Sequence, residues 1–510
     1  MNPMTSIDTF LNRITMYRLV LYYLVGLLVV AFVLGFFANL VPFDATQLAF
    51  SALVILAVCW GTNLVFARVF EAATNVESVY ITALILALII TPVSATDHAG
   101  VGFLVFASVW AMAAKYIFAI GKKHLFNPAA FAVALTALVI NQPATWWVGG
   151  NTYLMPFVIV GGLLLVRKIR RFDLVGSFFA VTLVTTELMS SSGFPTDIVT
   201  PLVPVLHTSI FFLAFVMLTE PLTTPPTMLL RVAYGAIVGF LFAPNIHIGT
   251  FYMTPELALL VGNVFSWAVS PKGRYILTLA AIEQQANDVY DFVFNADRRM
   301  TFRPGQYMEW TLGHQYPDNR GNRRYFTIAS APTERQVRLG VKFYSPSSTF
   351  KRALASMKVG STIAASHIAG GFVLPKDPKK KLVFIAGGIG MTPFRSMIQY
   401  LLDTKDARPV VVLYANKTAA DVAYKPILDR AQTELGIKTV YALSGETKPI
   451  PGMFNHSLDA ALIQQEIPDY LERTYYISGP HAMVEAFKQT LTGMGVSRLK
   501  IKSDFFPGFV

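Results

Sequence analysis

The sequence predicts a polytopic α-helical membrane domain of about ten spans, fused to a small β-barrel and a parallel α/β domain. Hydrophobic residues make up 54% of the 510 residues and charged residues 14%, well below the roughly 25% charged residues of soluble proteins. Charges are rare up to about residue 270 and reach an ordinary density beyond it. Short strand-like segments replace the long apolar runs from about Tyr275. These observations predict three domains, 1–274, 275–375 and 376–510.

The membrane spans are predicted from the length of the apolar runs. A helix that crosses the ~30 Å hydrocarbon core of a membrane needs roughly 20 apolar residues. The ten candidates are 18–40, 47–67, 77–93, 100–119, 125–141, 153–167, 173–191, 204–219, 229–243 and 254–270. Several are short, which predicts tilted or broken spans. The first is long and lacks a small-residue cleavage signature, so we expect a helix there and not a signal peptide.

The distribution of lysine and arginine predicts the orientation of these spans. With ten spans, every such residue before 275 falls at the N-terminus, in an alternate connection or at the start of the soluble half. They are Arg13, Arg18, Arg68, Lys115, Lys122, Lys123, Arg167, Lys168, Arg170, Arg171, Arg231, Lys272 and Arg274. The intervening connections contain none. The positive-inside rule therefore predicts a multi-pass protein of the cell (inner) membrane with both termini in the cytoplasm.

The soluble half changes its periodicity twice. ILTLAAIEQQANDVYDFVFNA and TFRPGQYMEWTLG form short strand patterns separated by turns, which are typical of a small β-barrel. After Lys376 a strand, a glycine loop and a helix follow in KKKLVFIAGGIGMTPFRSMIQYLL. The later strands VVVLYANK, TVYALSG and TYYISGP alternate with helices. Strands that alternate with helices predict a parallel doubly wound sheet.

Composition excludes several classes of function. The chain has one cysteine, Cys59, within an apolar run. This excludes a disulfide, a cysteine-ligated zinc site and a cysteine-ligated iron–sulfur cluster within the chain, and we predict no metal site. The net charge of +12 comes without a long basic block or basic–aromatic interleaving, so we expect no nucleic-acid partner.

Two connections on the predicted cytoplasmic side contain proline and small polar residues where spans begin. They are GKKHLFNPAAFAVAL (121–135) and MLTEPLTTPPTMLLR (217–231). Helix-breaking sequence at membrane depth is tolerated where it lines a cavity enclosed by protein, often a ligand site. The alternative is that both are ordinary helix caps with proline in the first turn.

Three motifs of the membrane half resemble a known family. HLFNPAA, TEPLTTPPT and PELALLVGNVFSWAVSP (255–271) look like the membrane D subunit of Rnf-type electron-transport complexes and the B subunit of the sodium-translocating NADH:quinone reductase. The resemblance implies a membrane-bound FMN or riboflavin near Asn127, Thr223 and Thr224. The family attaches FMN to a threonine in an S-G-A-T-like motif, from which SSSGFPTDIVTPL (190–202) departs. Covalent attachment at Thr196 or Thr200, and a flavin held without a covalent bond, both stay open.

The stretch RRYFTIASAP (323–332) has the chemistry of a flavin site. A flavin dinucleotide needs a cation for its pyrophosphate, a flat surface for its isoalloxazine ring and a small hydroxyl for the N5 or O4 edge. Arg324, Phe326 and Thr327 supply these groups. On an extended segment, residues 325 and 327 face one way and residues 324 and 326 the other. The alternative is an edge strand with an exposed arginine.

The order of motifs from 275 to 510 resembles the ferredoxin–NADP⁺ reductase superfamily. RYFTIAS, including Tyr325, matches its R-x-Y-[ST] FAD signature, with Phe326 where tyrosine is usual. The resemblance implies that Phe326 stacks on the flavin without a hydroxyl contact. SPSSTFKRALASMKVG (345–360) matches the segment in which Ser348 and Thr349, at a helix start, meet the FAD pyrophosphate. GGF (370–372) ends the flavin domain.

The same resemblance implies a nicotinamide-dinucleotide site. GGIGMTP (387–393) closes a strand and opens a helix, and SGPHAM (478–483) follows downstream. The residues implied for the dinucleotide are Gly387, Gly388, Gly390, Thr392, Pro393, Gly479 and Pro480. Ser478 stands where the family usually has a cysteine beside the nicotinamide. In the ending DFFPGFV, Asp504, Phe505 or Phe506 cover the flavin or nicotinamide, or the two aromatics are packing residues.

The choice between NADH and NADPH stays open. Asn416 and Lys417 follow the strand VVVLYA, where an adenosine 2′-phosphate would be read. A single lysine there either binds phosphate or caps a loop.

The sequence thus predicts a membrane flavoprotein oxidoreductase. Electrons pass from cytoplasmic NADH or NADPH through FAD to a membrane-bound flavin, and on to a quinone, flavin or metal acceptor. The predicted catalytic residues are Thr327, Ser478, Asp504 and Phe505. The cofactors carry the chemistry, and additional electron-transfer subunits are candidate partners beside the lipid bilayer.

Two alternatives are carried. One is a redox-driven ion transporter, although the few intramembrane ionisable residues, among them Glu187 and Glu220, lie near span ends and show no ion pathway. The other is a transmembrane ferric reductase with two bis-histidine haems, which needs paired histidines near each face. The membrane half has His98, His124, His207 and His247, of which only His124 lies on the inner side. An inner haem would therefore lack its second histidine.

Overall fold

The structure is a computed structural model of the 510-residue chain. It describes residues 7, 10–11, 14–38, 40–70, 76–120, 123–189, 208–244, 246–270, 273–314, 322–446 and 448–504. The chain divides into two compact units, of which the first ends at Gly273 and the second begins at Arg274. Each unit is described separately.

The first unit is helical. Its helices are α1 (Met16–Ala38), α2 (Ala45–Val69), α3 (Val76–Ile89), α4 (His98–Ile117), α5 (Pro128–Ile140), α6 (Met155–Ile169), α7 (Phe172–Met189), α8 (Met228–Phe242) and α9 (Pro255–Val269). A short helix, Trp147–Gly150, lies between α5 and α6. Before α8, the helical turn Ile210–Phe212 continues as a π-helical segment, Leu213–Met217.

Helix starts in this unit follow local capping chemistry. The Asp44 side chain accepts from the N–H of Thr46, and the Gln47 side chain accepts from the N–H of Asp44 at the start of α2. The Asn127 side chain accepts from the N–H of Ala130 at 3.0 Å, with proline in the first turn of α5. These caps satisfy N–H groups that a helix cannot bond internally.

Four helices of the described residues are long and apolar enough to cross a membrane by length and composition, namely α1, α2, α4 and α7. The apolar helices α3, α5, α8 and α9 have only 13 to 15 residues. At 1.5 Å per residue such a helix covers roughly 20–22 Å, less than a ~30 Å core. Length and composition therefore support four spans among the described residues, and the count of ten stays a prediction.

Six long-range polar contacts in the first unit form two sets. One set joins residues that the sequence places on the lysine- and arginine-rich side: Arg18 Nε with Glu77 Oε1 at 3.0 Å, Lys115 Nζ with Ser78 O at 2.8 Å, and Arg231 with Asp173 at 2.6 Å. The other joins residues of the opposite side: Trp146 Nε1 with Glu256 Oε2 at 3.0 Å, Asn151 Nδ2 with Leu40 O at 3.2 Å, and Val93 N with Ser51 Oγ at 2.8 Å. None of these pairs joins one side to the other.

The second unit begins with a six-stranded antiparallel sheet. Its strands are β1 (Tyr275–Ala286), β2 (Val289–Ala296), β3 (Tyr307–Thr311), β4 (Arg323–Thr327), β5 (Val337–Lys342) and β6 (Thr362–Ala369), in the order β4-β3-β6-β1-β2-β5. A short helix, α10 (Thr349–Ala355), precedes β6. Just beyond β4, the N–H of Ala329 donates to the carbonyl of Arg338 in β5 at 2.9 Å. The sheet is thus a half-barrel whose two edges approach each other.

A parallel sheet follows. Its strands are β7 (Leu382–Gly387), β8 (Val410–Asn416), β9 (Lys438–Leu443), β10 (Met453–Phe454), β11 (Thr474–Ser478) and β12 (Ile501–Asp504), in the order β10-β9-β8-β7-β11-β12. The helices between them are α11 (Thr392–Thr404), α12 (Lys425–Leu435), α13 (Ala460–Glu466) and α14 (His481–Gly493). All strand pairs are parallel, so their carboxyl ends meet at one edge.

The half-barrel and the parallel sheet share a buried polar interface. The Tyr424 hydroxyl donates to Asp291 Oδ1 of β2 at 2.6 Å. Burial raises the pKa of Asp291, and the hydrogen bond from Tyr424 partly offsets this. Gly340 of β5 lies so close to the Tyr424 hydroxyl that a Cβ at this position would overlap it. The two subdomains are therefore packed without spare space at this point.

We expect Tyr424→Phe to lower the free energy of unfolding of this half by about 1–3 kcal/mol, because the buried Asp291 loses its hydroxyl donor. Hydrogen exchange of the full-length protein in detergent, followed by mass spectrometry, would show faster exchange in β2 and at the start of α12. Tyr344→Phe is the matched control, since Tyr344 is exposed. Equal exchange in the two variants would contradict the assigned role of Tyr424.

Candidate functional site

Strand β4 presents two of the predicted flavin residues on one face. The guanidinium carbon of Arg324 lies 5.3 Å from the ring centre of Phe350, and the Phe326 ring lies 5.9 Å from the same ring. Arg324 is buried and Phe326 is half-buried. Phe350, in the first turn of α10, therefore contacts both side chains. Arg324 and Phe326 lie next to each other, an arrangement that suits a pyrophosphate and the ring attached to it.

The other face of β4 carries a second polar cluster. The Tyr325 hydroxyl donates to Glu309 Oε2 at 2.9 Å, and Arg323 lies 3.5 Å from the same carboxylate. Glu309 is directly opposite Tyr325 in the ladder, and Thr327 is opposite Tyr307. Tyr325, which was predicted to bind the cofactor, thus lies on the opposite face from Arg324 and Phe326.

The segment predicted to meet the pyrophosphate starts α10. Ser348 caps this helix, and its side chain accepts from the N–H of Lys351 at 3.3 Å. Thr349 Oγ1 lies 3.1 Å from His314 Nε2. A hydroxyl that accepts one hydrogen bond can still donate its own hydrogen. Ser348 therefore fits a phosphate oxygen while it serves as the cap.

The glycine loop connects β7 to α11 through a tight turn, Gly388–Met391. Gly388 has φ +51°, and no atom lies within 4 Å of a Cβ built on it. The other two glycines meet protein instead. A Cβ on Gly390 would overlap the carbonyl of Ser478, and one on Gly387 would overlap Met483. Gly387 and Gly390 thus allow two loops to touch, whereas Gly388 leaves open space for a ligand.

The remaining residues of the loop begin a helix. Thr392 is buried and donates from its hydroxyl to the carbonyl of Ile389 at 3.1 Å, and Pro393 lies in the first turn of α11. The N-terminal end of such a helix favours phosphate groups.

The register of the parallel sheet brings two predicted catalytic residues together. Ser478 ends β11, and it is paired with Ala386 of β7 on one side and with Asp504 of β12 on the other. Both side chains are buried. Gly479 packs against the backbone of Gly387, and Pro480 starts α14. The predicted Phe505 and its neighbour Phe506 lie outside the described residues.

The FAD motif and the dinucleotide motif are joined directly. Arg395 Nη1 donates to the carbonyl of Ala329 at 3.1 Å, and the Ser396 hydroxyl donates to the carbonyl of Ser330 at 2.7 Å. Ala329 and Ser330 belong to RYFTIAS. Arg395 and Ser396 follow GGIGMTP after one intervening residue, Phe394. Arg395 also forms a two-point ion pair with Glu334. The two predicted cofactor sites are thereby held at a fixed separation.

Charges around the site are set by burial and by ion pairs. The Tyr414 hydroxyl donates to the carbonyl of Gly388 at 3.1 Å, and burial raises the pKa of Tyr414, so this donor stays protonated at neutral pH. Burial tends to raise the pKa of Asp421, but Lys342 at 2.9 Å and the Thr418 hydroxyl lower it overall. Asn416 ends β8 as a buried residue, and Lys417 is exposed.

The three membrane motifs meet in one buried cluster. Asn127 Nδ2 donates to Glu220 Oε2 at 2.9 Å, and the Thr223 hydroxyl donates to the same oxygen at 3.1 Å. Asn263 Oδ1 accepts from the N–H of Asn127 at 2.8 Å. The Thr224 hydroxyl donates to the carbonyl of Glu220 at 2.6 Å. The side chains of the predicted flavin neighbours Asn127, Thr223 and Thr224 thus form hydrogen bonds within and between the three motifs, and these bonds hold the site together.

Two hydroxyls beside this cluster have different surroundings. Ser266 lies on the same face of α9 as Asn263, one turn further along, and Ser270 caps the end of this helix. Both are buried, and neither hydroxyl has a hydrogen-bond partner within the part of the chain that the structure describes. Buried hydroxyls of this kind fit a polar ligand. The candidate covalent sites Thr196 and Thr200 lie outside the described residues.

The residues of these sites that were not selected from the sequence include Glu309, Phe350, Ser266, Ser270, Arg395 and Ser396. Glu309 is the one charged residue of β3, but its place opposite Tyr325 follows only from the strand register. Phe350 directly follows the selected Thr349. Ser266 occurs within a quoted motif, but its burial depends on packing. Among the described residues, no group of three or more histidine, cysteine or acidic side chains is placed to hold a metal ion.

Comparison with known families supports both halves. Residues 148–271 match the family model described as NQR2, RnfD, RnfE family, and residues 384–489 match the model described as oxidoreductase NAD-binding domain. The two resemblances predicted from the motifs are confirmed. The chain therefore joins a helical Rnf/NQR-like region to a ferredoxin reductase-like module.

Individual relatives match the soluble half. The glycine betaine monooxygenase reductase subunit of Chromohalobacter salexigens is 28% identical over 240 residues, covering 44% of this chain and 61% of the relative. The flavohemoprotein of Oceanobacillus iheyensis is 26% identical over 232 residues, covering 44% of this chain and 56% of the relative. This chain thus spans less than two thirds of these relatives. The cytochrome b5 reductase domain of Ulva prolifera nitrate reductase is 22% identical, with a TM-score of 0.41, covering 46% of this chain and 98% of that domain.

We expect Gly390→Ala to destabilise the second unit by about 1–3 kcal/mol, because the added methyl group overlaps the carbonyl of Ser478 and backbone cannot move aside freely. The temperature at which near-ultraviolet circular dichroism is lost reports this change. Gly493→Ala is the matched control, since no atom lies within 4 Å of a Cβ at the end of α14. Equal thermal stability of the two variants would show that the loops do not touch as described.

Proposed function

We propose that this protein is a membrane flavoprotein oxidoreductase that takes electrons from NADH or NADPH and passes them through FAD to a membrane-bound flavin. The observation that carries the proposal is the direct hydrogen bonding of the FAD motif to the dinucleotide motif through Arg395 and Ser396. The confirmed resemblance of the two halves supports the coupling of this module to a membrane domain.

In the proposed flavin site, Arg324 binds the pyrophosphate and Phe326 stacks on the ring, supported by Phe350. Ser348 and Thr349 bind a phosphate oxygen at the start of α10. Thr327 shares the face of Tyr325 but ends β4, and from the end of the strand it holds the N5 or O4 edge. When bound, FAD separates a two-electron donor from one-electron acceptors. Tyr325 acts from the opposite face, where it fixes the strand through Glu309.

In the proposed nicotinamide site, the dinucleotide lies along the open side of Gly388, with its phosphates at the start of α11. Ser478, at the end of β11, borders the nicotinamide. Asp504 lies in register with Ser478 on the adjacent strand. These two residues orient the ring that donates the hydride.

In the membrane unit, we place the second flavin beside the cluster of Asn127, Thr223 and Thr224. Its polar edge is held by Ser266 and Ser270, whose hydroxyls are buried without a described partner. The acceptor beyond this flavin is a quinone or an outer-face flavin or metal compound. A redox-driven ion transporter remains the second interpretation of the same resemblance.

The proposed topology places both termini and the soluble half in the cytoplasm, where NADH and NADPH are found. The separation of polar contacts supports it. Arg18 with Glu77, and Arg231 with Asp173, join residues predicted to be cytoplasmic. A topology that placed either helix end on the wrong side would break such a pair.

The test of the proposed function is anaerobic addition of NADH or NADPH to the purified full-length protein, followed by the flavin absorbance near 450 nm. We expect bleaching by at least one nucleotide. Arg324→Met should bind FAD about 10- to 100-fold more weakly, because charge-assisted hydrogen bonds to the pyrophosphate are lost.

Arg323→Met is the matched control for this prediction, since Arg323 lies on the opposite face of β4 beside Glu309. It should retain FAD to within about twofold of the unaltered protein, the range expected for an exposed ion pair. Unbleached flavin with both nucleotides, or equal FAD loss in the two variants, would refute the proposed site.

The second flavin has its own test. Acid extraction of the unaltered protein should release FAD. One further flavin per chain should either be released with it or stay attached to the protein. The double variant Ser266→Ala, Ser270→Ala should lose the further flavin and keep FAD. Thr254→Val is the control, because this buried hydroxyl lies 12 residues before Ser266, roughly 18 Å away along α9. Loss of the further flavin from the control alone, or its full retention in the double variant, would overturn this placement.

A further inference from the structure

His314 is hydrogen-bonded through both nitrogens of its ring, and no role proposed above uses it. It is half-buried and lies just beyond β3. Its Nδ1 lies 2.8 Å from the carbonyl oxygen of Leu312, and its Nε2 lies 3.1 Å from the hydroxyl oxygen of Thr349. Thr349 is one of the two residues that we assign to an FAD phosphate. The imidazole therefore connects the end of β3 to the proposed flavin site.

The two contacts fix the hydrogen positions of the neutral imidazole. A carbonyl oxygen only accepts hydrogen bonds, so Nδ1 carries the hydrogen and donates to Leu312. Nε2 of this tautomer is an acceptor, and the Thr349 hydroxyl must donate to it. A hydroxyl has one hydrogen. While His314 is neutral, that hydrogen points to the imidazole and is not offered to a phosphate oxygen.

Protonation of His314 reverses this hydrogen bond. Both nitrogens of an imidazolium are donors, so Nε2 then donates to the Thr349 oxygen and the hydroxyl hydrogen can turn to a phosphate oxygen. The imidazolium also brings a positive charge to the anion. Histidine is the side chain that changes its charge between about pH 5 and 8. One proton on His314 thus supplies both a donor and a charge to the same ligand.

His314 and Arg324 pack against the same aromatic ring. The ring centres of His314 and Phe350 are 6.3 Å apart, and the guanidinium carbon of Arg324 lies 5.3 Å from the Phe350 ring centre. Arg324 is buried, and it is the residue that we assign to the FAD pyrophosphate. The guanidinium, the imidazole and the Thr349 hydroxyl therefore lie around Phe350, where one pyrophosphate can contact all three.

The other charged side chains of the neighbouring elements have their own partners. Lys351 and Arg352 of α10 donate to backbone carbonyls. The carboxylate of Glu309, on β3, accepts from Tyr325 on the face of the sheet opposite Arg324. A phosphate beside the imidazole acts as a nearby opposite charge and favours the protonated ring. Because linkage is reciprocal, the protonated ring favours the phosphate to the same extent.

We propose that His314 is a proton-linked binding residue for the FAD pyrophosphate, so that the protein holds FAD more tightly at acidic than at alkaline pH. This role rests on the proposed function for the identity of FAD. Binding favours the protonated ring, so the affinity for FAD is highest below the titration of His314 and falls as the pH rises through it. The FAD pyrophosphate does not titrate in this range, since each of its phosphorus atoms carries a strongly acidic oxygen.

The test follows the release of FAD after dilution of the full-length protein in detergent, at about pH 5.5 and about pH 8.5. No nucleotide is added, and chromatography separates released FAD from FMN and riboflavin. We expect release to be about tenfold faster at the higher pH, the effect of losing one charge-assisted hydrogen bond. His314→Gln should release FAD at rates that agree within about twofold at the two pH values, because the amide does not titrate.

His456→Gln is the matched control, because His456 also contacts a backbone carbonyl through Nδ1 and is exposed in the parallel-sheet subdomain. His367→Gln tests the other histidine of the half-barrel, whose Nδ1 lies 3.8 Å from Glu309 Oε1. Both variants should keep the pH difference of the unaltered protein. Equal release at the two pH values by the unaltered protein would overturn the proposal. So would a pH difference that persists in His314→Gln or disappears in either control.

The two levels of proposal fail separately. Flavin that is not bleached by NADH or NADPH contradicts the proposed function, whereas the pH dependence of FAD release bears on His314 alone. Proton uptake decides the proposal even if His314→Gln does not fold. Calorimetric titration of FAD into the FAD-depleted, unaltered protein, in two buffers of different ionisation enthalpy, should show proton uptake at about pH 7. Binding of FAD without proton uptake would overturn the role of His314.

Discussion

The soluble half depends on one buried contact, in which α11 donates to the backbone that follows β4. Arg395 and Ser396 bond the carbonyls of Ala329 and Ser330, and these groups are buried. A buried backbone carbonyl needs a partner, and here the partners come from the other subdomain. The flavin strand and the glycine loop are consequently positioned by one another and not by separate scaffolds. Glu334 forms an ion pair with Arg395. Without this partner, burial of the Arg395 charge away from water would cost free energy.

In the membrane unit, too, buried polar groups of one segment find their hydrogen-bond partners in another segment. Three motifs that are far apart in the chain meet where Glu220 accepts from Asn127 and Thr223. In a region without water, helix starts and broken turns must satisfy their polar groups with protein. The cluster does this for the start of α5 and the turn before α8. The same packing leaves Ser266 and Ser270 beside it without a described partner, which is why these two hydroxyls, and not Asn127, Thr223 or Thr224, are assigned to a ligand.

The sequence predicted the elements well and the contacts between them poorly, for physical reasons. Periodicity and glycine position sufficed for the strands, the half-barrel and the parallel sheet, because these signals are local. The alternation of β4 likewise predicted which face carries Arg324. The partners of those faces depend on register over long separations, so Glu309 opposite Tyr325 and Asp504 beside Ser478 emerged only from the ladders. The glycine loop shows the same limit, since Gly390 is needed for contact with Ser478, 88 residues later. In the membrane unit, α3 and α5 are shorter than the predicted spans 77–93 and 125–141, whereas α2 is longer than the predicted span 47–67.

The close contact at Gly340 has a mechanical consequence. Its backbone leaves no room for a methyl group against Tyr424 and Thr392, so the half-barrel and the parallel sheet cannot slide or hinge apart without breaking buried hydrogen bonds. Interfaces of this kind are bistable or rigid, since dense packing does not deform gradually. On heating, the two subdomains should melt in one cooperative transition. During turnover, a nucleotide should enter along the sheet edge without a slow closure of the two subdomains.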